Sequence, residues 1–561
     1  MGETLYGMLT VIACWTIWSA AFVGFGLIGE RFFRPPAVQL SFTRFWTGLA
    51  LVTFFLQIWH LFLPVDWKAS AVVLLIGFAG IGSRFKGALG CLADLSRRRF
   101  LLLSVSALAL WVANISLRAP WNYDSGLYHF QMIRWLNEYA IVPGLGNLHM
   151  RLAFNQSYFL YPALLNVSPF FLKGYQAANS LLFLALVGQL LFRSINPLIG
   201  SAELRIFSIL MSAMVVKQGL RESLSSPSPD FAIFIFGVVI VLWLVECLVY
   251  YRGRTALDRS TFAAVLLVAC CGVTFKLSFL AVALSVGTLL LWLVWKTSET
   301  GPSALIASAA AICISFLAVW AARGVIISGY PLFPMTFAGM ELDWRVPAPQ
   351  ANETARLVYS WARKRGESPE RVLNDSTWLK SWINKNARNA NVNRPILLFV
   401  ICLGALPCLH YAYRSKSVLS GLSLLPLAPP TLWLLFWFLT APDPRFASAA
   451  FNLLAAWSAT LLLVQLWAIC RWNQPWLIRA SVVIAILLVA PRVIKNGAPT
   501  MCIGAIPAPP LEQVTTRSGL ILYVPRTNDQ AWNAPLPSAP FTNPSLETRS
   551  KILQDGFRSG R

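Results

Sequence analysis

Apolar runs close to the ~20 residues that cross a bilayer as a helix recur from one end of the chain to the other. Fourteen such segments stand out: 5–27, 38–63, 70–83, 99–117, 175–192, 205–222, 231–251, 260–275, 277–295, 303–323, 395–413, 417–440, 446–470 and 475–491. The third is short, and the sixth has only Ile206 to Val216 as an unbroken apolar core. The pattern predicts an all-α polytopic membrane protein with about 14 transmembrane helices. No positively charged stretch precedes the first run, which reads as a retained helix rather than a cleaved signal. Within the 119–174 segment, Ser125 to Tyr139 fits a helix with Tyr128, Met132, Trp135 and Tyr139 along one stripe.

The polar segments divide by charge. If the spans alternate, the connections carrying Arg31 and Arg34, then Arg84, Lys86, Arg97, Arg98 and Arg99, then Arg193 and Arg205, Arg252, Arg254 and Arg259, Lys296, Arg414 and Lys416, and Arg471 all fall on one side. The positive-inside rule makes that side the cytoplasm. The other side receives the 119–174 loop, SSPSPD (225–230), TFKLS (274–278), the 324–394 loop, APDPRF (441–446) and the tail from about 493. In the 324–394 loop, Ser368 and Pro369 read as the N-cap and first position of a helix, and Trp378 and Trp382 share a helix face suited to a headgroup layer. The tail stretch LEQVTTRSGLILYVPR suggests a short strand pair followed by Pro-rich irregular chain.

Composition sharpens this picture. At 57% hydrophobic and 12% charged, the chain lies outside the soluble range. The net charge of +23 by itself would suggest nucleic acid, but most of the cations sit in short loops, where they set topology and touch anionic lipid. No CxxC spacing or disulfide framework is present.

Acidic residues are scarce, so those on the polar side are informative. Asp124 starts the predicted helix in WNYDSGLYHFQMIRWLNE; it suits either an N-cap or a general base kept ionised by the helix N-terminus. Arg134 and Glu138 are spaced to pair. His129 and His149 bracket the loop and read as hydrogen-bonded structural histidines more readily than as metal ligands. Lys217 and Arg221 lie one turn apart near the end of the sixth span, a depth at which charges face an interior or wet cavity. Lys276 tips a hairpin, where it either snorkels or contacts phosphate. Asp443 and Arg445 suit a local pair in a proline-stiffened turn. SGYPLFP and ELDWRVP bring Arg323, Tyr330, Asp343 and Arg345 to the same face.

The order of YDSGLYH, GNLHMRLAFN (146–155), SPSPDF, FKLS, SGYPLFP and APDPRF resembles the GT-C superfamily of multi-pass glycosyltransferases, over roughly residues 99–492. The resemblance implies a GT-C-like fold, with 1–98 as accessory transmembrane helices, 99–492 as the catalytic module and 493–561 as an extracytoplasmic tail. It further implies sugar transfer from a polyprenyl-phosphate donor to a glycan, lipid or protein acceptor at the outer face of a bacterial inner membrane, without nucleic acid. Asp124 matches the essential aspartate of the first outer loop, and Asp230 the acidic residue of the next. Substrate contacts are expected from Tyr128, His129, His149, Arg151, Lys217, Arg221, Asp230, Lys276, Arg323, Tyr330, Asp443 and Arg445, with a divalent cation (Mg or Mn) at Asp124 and Asp230 if one is used. The first loop has a lone aspartate rather than an acidic pair, and three spans precede the module, both departures from the simplest GT-C layout. The rival reading is a transporter or flippase for a lipid-linked or anionic substrate; a purely structural scaffold has no use for Lys217 or Lys276.

Overall fold

The computed structural model describes residues 2–33, 40–84, 99–195, 201–222, 224–253, 256–297, 302–413, 420–470 and 474–560. The cations Arg34, Lys86, Arg97, Arg98, Arg254, Arg414, Lys416 and Arg471, used to assign sidedness, lie outside these residues.

An apolar run satisfies its own backbone groups only by coiling, and a helix stands at each of the fourteen predicted segments. These are α1 (Gly2–Phe33), α2 (Thr43–Trp59), α3 (Trp67–Gly82), α4 (Arg99–Ser116), α5 (Gly174–Ile195), α6 (Ala202–Glu222) and α7 (Pro229–Arg252), then α8 (Arg259–Phe275), α9 (Leu280–Thr297), α10 (Pro302–Ser328), α11 (Ala390–Ala412), α12 (Ala428–Thr440), α13 (Ser448–Cys470) and α14 (Gln474–Asn496). Among the described residues, nine helical segments are long and apolar enough to cross a membrane, and three apolar helices, Trp67–Gly82, Leu102–Ser116 and Arg259–Phe275, are shorter. The protein is a predominantly helical protein of membrane type. Helices α2 and α6 are in neither group; in α6, Glu203 and Arg205 crowd one end and Lys217, Arg221 and Glu222 the other.

The helices enclose one apolar core. α7, apolar on every side, runs through its middle with 94% of its span buried and packs on α5, α6, α8, α9 and α13. α1 to α3 join the same core: α1 lies on α2 to α5, and α2 on α8 and α10. Glycine allows the tightest approach, since a Cβ on Gly48 would stand 1.7 Å from the Phe22 carbonyl. One polar network ties α2, α5 and α7 together. Arg193 pairs with Glu246 at 2.7 Å, the Ser41 amide donates to Glu246 at 2.9 Å, Gln189 donates to the Ser41 hydroxyl at 2.8 Å, and Trp243 donates to the Ser41 carbonyl at 2.8 Å.

The tail folds over the opposite end of the bundle. β1 (Leu511–Thr515) pairs antiparallel with β2 (Ile521–Pro525), Leu511 opposite Pro525, as the sequence suggests. A second pair, β3 (Leu546–Thr548) with β4 (Phe557–Ser559), carries no comparable sequence signal, because its strands are three residues each. The tail grips the 119–174 loop: the Trp532 amide donates to the Gly126 carbonyl at 2.8 Å, the Phe557 amide to the Pro143 carbonyl at 3.0 Å, and Gln131 to the carbonyls of Trp532 and Ala534, both at 3.0 Å.

Candidate functional site

Three short turns meet beneath the tail because polar side chains stitch them together. Asn179 on α5 donates to the carbonyls of Ser226 and Ser228 at 2.8 and 3.1 Å, fixing SSPSPD ahead of α7. Ser226 in turn accepts from the Trp121 amide at 3.3 Å, and Ser157 donates to Thr274 at 2.7 Å, joining the 119–174 loop to TFKLS. The α12–α13 turn is set by Trp437 and Trp382, which donate to the carbonyls of Asp443 and Pro442 at 2.7 and 2.8 Å. The helix Trp378–Ala387 therefore packs its tryptophans on Trp437 and Phe438.

Asp124 does not act as a cap. Asn122 starts that helix, accepting from the Asp124 amide at 3.0 Å, and the Asp124 side chain makes no capping bond. Its carboxylate instead accepts from Arg445 Nη1 at 2.8 Å. The next five residues, Ser125–His129, form a π-helical turn rather than the start of a regular α-helix, a local widening often found at functional sites.

Arg445 is shared between three carboxylates. Beyond Asp124, its Nε stands 3.9 Å from Asp230 and 4.0 Å from Asp443, and Asp443 accepts from the Arg445 amide at 3.1 Å. Asp230, in the first turn of α7, also pairs with Lys276. Lys276 lies 4.0 Å from the Phe446 ring centroid, and Arg445 lies 4.9 Å from both Phe446 and Trp361. The side chains of Asp124, Asp230, Lys276 and Arg445 are 19%, 10%, 18% and 27% exposed, so the group is sheltered yet reachable. Three buried polar atoms on these turns have no hydrogen-bond partner: Arg445 Nε, Ser228 Oγ and Ser278 Oγ. Unpaired buried groups are costly, and a cluster of them suits a polar ligand.

The electrostatics follow from this enclosure. Burial alone would raise the Asp124 carboxyl, but the surrounding cations, Arg445 first, outweigh it and hold the group below its ordinary value. Burial pushes His129 down to about 3 against the pull of Asp124, so its imidazole is neutral at neutral pH; its Nδ1 lies 3.1 Å from the Ser125 hydroxyl. Burial draws the Lys276 ammonium below its usual value, with Asp230 acting against it. Tyr128 stacks edge-on with His129 at 4.5 Å, and Asp124, Asp230, Arg151 and Arg445 all act on it. Arg151 itself lies over the Phe154 ring at 5.4 Å. His149 lies beside Arg151 and is pushed down to about 3, chiefly by burial.

The other expected contacts lie elsewhere. Arg323 donates to His60 Nδ1 at 2.9 Å and to the Gln57 carbonyl at 3.3 Å, fastening α10 to α2. Tyr330 is buried and donates to the Val346 carbonyl at 2.9 Å. Asp343 pairs with Arg549 of the tail at 2.7 Å, and Arg345 with Glu341. Lys217 feels Arg221, Arg394 and Arg492, a separate basic neighbourhood. Two residues of the cluster carry no mark in the sequence reading: Trp361, and Arg365, which stacks over Trp361 at 4.0 Å and pairs with Asp443 at 3.0 Å. Their spacing of four in YSWARKR is the available signal. An open cavity of about 790 Å³ bounded by Glu3, Tyr6, Lys173, Tyr175 and Asn533 includes none of these residues.

Among the described residues no group of three His, Cys, Asp or Glu side chains gathers as a metal site. The Asp124 and Asp230 carboxylates already engage Arg445 and Lys276, which a divalent ion would have to displace.

The model of a family described as a domain of unknown function (DUF8201) matches residues 8–452, and the chain belongs to that family. Comparison with curated proteins and with solved structures gave no match.

Proposed function

We propose that this DUF8201 member is a fourteen-span, GT-C-type glycosyltransferase. It takes a sugar from a polyprenyl-phosphate donor at the outer face of a bacterial cytoplasmic membrane and passes it to a hydroxyl on a glycan, lipid or protein. One observation carries the reading: Arg445 is shared among Asp124, Asp230 and Asp443 with no hydrogen bond at its Nε, and Lys276 pairs with the same Asp230. An arginine held this way exchanges one acidic partner for another with little movement. A donor phosphate takes over Arg445 and Lys276, and Asp124 is released. The freed carboxylate accepts the acceptor's hydroxyl proton as that oxygen bonds to the anomeric carbon. The bond from that carbon to the phosphate oxygen breaks, and the phosphate leaves with the electron pair, its charge met by both cations. Direct displacement inverts the anomeric centre. Trp361 and Phe446 offer flat apolar faces beside the cations, and neutral His129 hydrogen-bonds without adding charge. No step is routed through a metal.

A transporter needs a substrate route between both faces. The polar network at the other end of the bundle, with Arg193 and Glu246 only 3% and 0% exposed, is closed by Ser41, which supports a site open at one end of the bundle. The experiment is a kinetic separation on purified protein. Arg445→Gln and Lys276→Gln raise the donor KM, whereas Asp124→Asn lowers kcat by about 10²–10⁴-fold at nearly unchanged donor KM. An Asp124→Asn enzyme altered only in donor KM contradicts the assignment of Asp124 as base.

A further inference from the structure

Arg323 is a cation enclosed by neutral groups. It stands on α10 with 2% of its surface exposed, against Gln57 and His60 at the end of α2, which are 0% and 4% exposed. Its Nη1 donates to the Gln57 carbonyl at 3.3 Å and to His60 Nδ1 at 2.9 Å. A ring nitrogen that accepts from a guanidinium carries no proton, so His60 keeps its proton on Nε2, which donates to the Tyr139 carbonyl at 3.2 Å. His60 is therefore a neutral imidazole, and the guanidinium charge stays uncancelled. Among the described residues no carboxylate pairs with Arg323. Glu138, beside Tyr139, is held by Arg134 at 2.6 Å. The carbonyl end of α2 supplies only about half an elementary charge.

The hydrogen bonding is incomplete as well as the charge. Arg323 Nε and both amide atoms of Gln57, Nε2 and Oε1, are buried without a partner. Unanswered donors on a buried cation call for an anion, since a water would complete the bonds and leave the charge. The enclosure limits its size. One turn before Gln57, the ring of Phe54 on α2 packs on that of Phe316 on α10 at 5.2 Å. On the other side, the Ile141 amide donates to the His60 carbonyl and the Gly144 amide to the Ile326 carbonyl, both at 2.9 Å, so the 119–174 loop closes over the helix ends. We infer that α2 and α10 hold a chloride ion, bound by Arg323 Nε and the Gln57 amide nitrogen, with a water bridging the ion to Gln57 Oε1. The site is separate from the Asp124 cluster and does not depend on sugar transfer.

The test is equilibrium binding of radiolabelled chloride to the purified full-length protein, together with thermal unfolding in chloride and in gluconate at equal ionic strength and pH. Wild-type protein binds chloride saturably, bromide competes, sulfate does not, and the protein melts higher in chloride than in gluconate. Arg323→Gln loses saturable binding and melts at the same temperature in both salts. Gln57→Leu, which keeps the cation and removes only the amide, binds chloride roughly tenfold more weakly; it decides the matter where Arg323→Gln does not fold. Absence of saturable binding to wild type, or wild-type affinity in Gln57→Leu, overturns the proposal. So does competition by sulfate equal to that by bromide, which would make the site an open surface one.

Discussion

At the scale of single residues, the sheltered pairing of Asp124 with Arg445 has consequences for both stability and pH. Replacing Arg445 by Gln leaves a mostly buried carboxylate without its directly paired cation, at a cost on the order of 2 kcal/mol, less than for a fully enclosed pair. Asp124 has a depressed folded-state value, so the pair contributes fully above the unfolded carboxyl value of ~3.9 and is lost as pH falls through the lower folded value. The difference in thermal unfolding between wild type and Arg445→Gln is therefore expected at pH 7 and shrinks below about pH 3.9. The same variant moves the acidic limb of the pH–rate profile upward, because burial then acts on Asp124 with less opposition. Which acidic and basic residues converge was legible where a charge is rare and sits in a short turn: Asp124, Asp230, Lys276 and Arg445 each stand in a quoted motif, and they meet. Their partners were not legible. Arg323 looks like a site cation in one dimension, yet it spends its hydrogen bonds on His60 and Gln57, which lie some 260 residues away in sequence.

At the scale of elements, the Asp124–Arg445 cluster is held in place by parts that lie outside it. Trp382 both packs on Trp437 at 5.7 Å and bonds the Pro442 carbonyl, so Trp382→Ala should destabilise the protein by about 3 kcal/mol and loosen Arg445, lowering donor affinity. Trp382→Phe, which keeps the packing, should cost about 1 kcal/mol; denaturant unfolding measures both. A Cβ on Gly126 would meet the Trp532 ring at 2.5 Å, so Gly126→Val should lift the 526–534 segment from the π-turn, read as faster proteolysis there. Helices and the first hairpin follow from run length and turn chemistry. The π-turn does not: SGLYH has the same apolar spacing as an α-helix, and the Trp532 amide that bonds its Gly126 carbonyl comes from some 400 residues away. The helix Trp378–Ala387 was legible as amphipathic, but sequence spacing could not tell headgroups from the aromatic residues of α12 that it covers.

At the scale of the whole molecule, the apolar runs announced a helical membrane-type protein, and every predicted segment holds a helix. Which loops lie over which was hidden, since it depends on bonds such as Asn179 to Ser226 that join distant turns. All the loops around Asp124 gather at one end of the bundle, while Tyr411 stands at the far end of α11 from Arg394. In a cysteine-free background, Phe170→Cys and Phe541→Cys, at positions 77% and 69% exposed, should react with an impermeant maleimide on intact cells. Tyr411→Cys, at a position 90% exposed, should react only after permeabilisation. The central claim, that the Asp124–Arg445 pair is a sugar-transfer site, is met most directly by incubating purified protein with a panel of polyprenyl-phosphate-linked sugars and acceptors and measuring release of polyprenyl phosphate. The account predicts turnover with one donor class that disappears in a folded Asp124→Asn variant. Undiminished release by that variant, or no release from any donor, contradicts it.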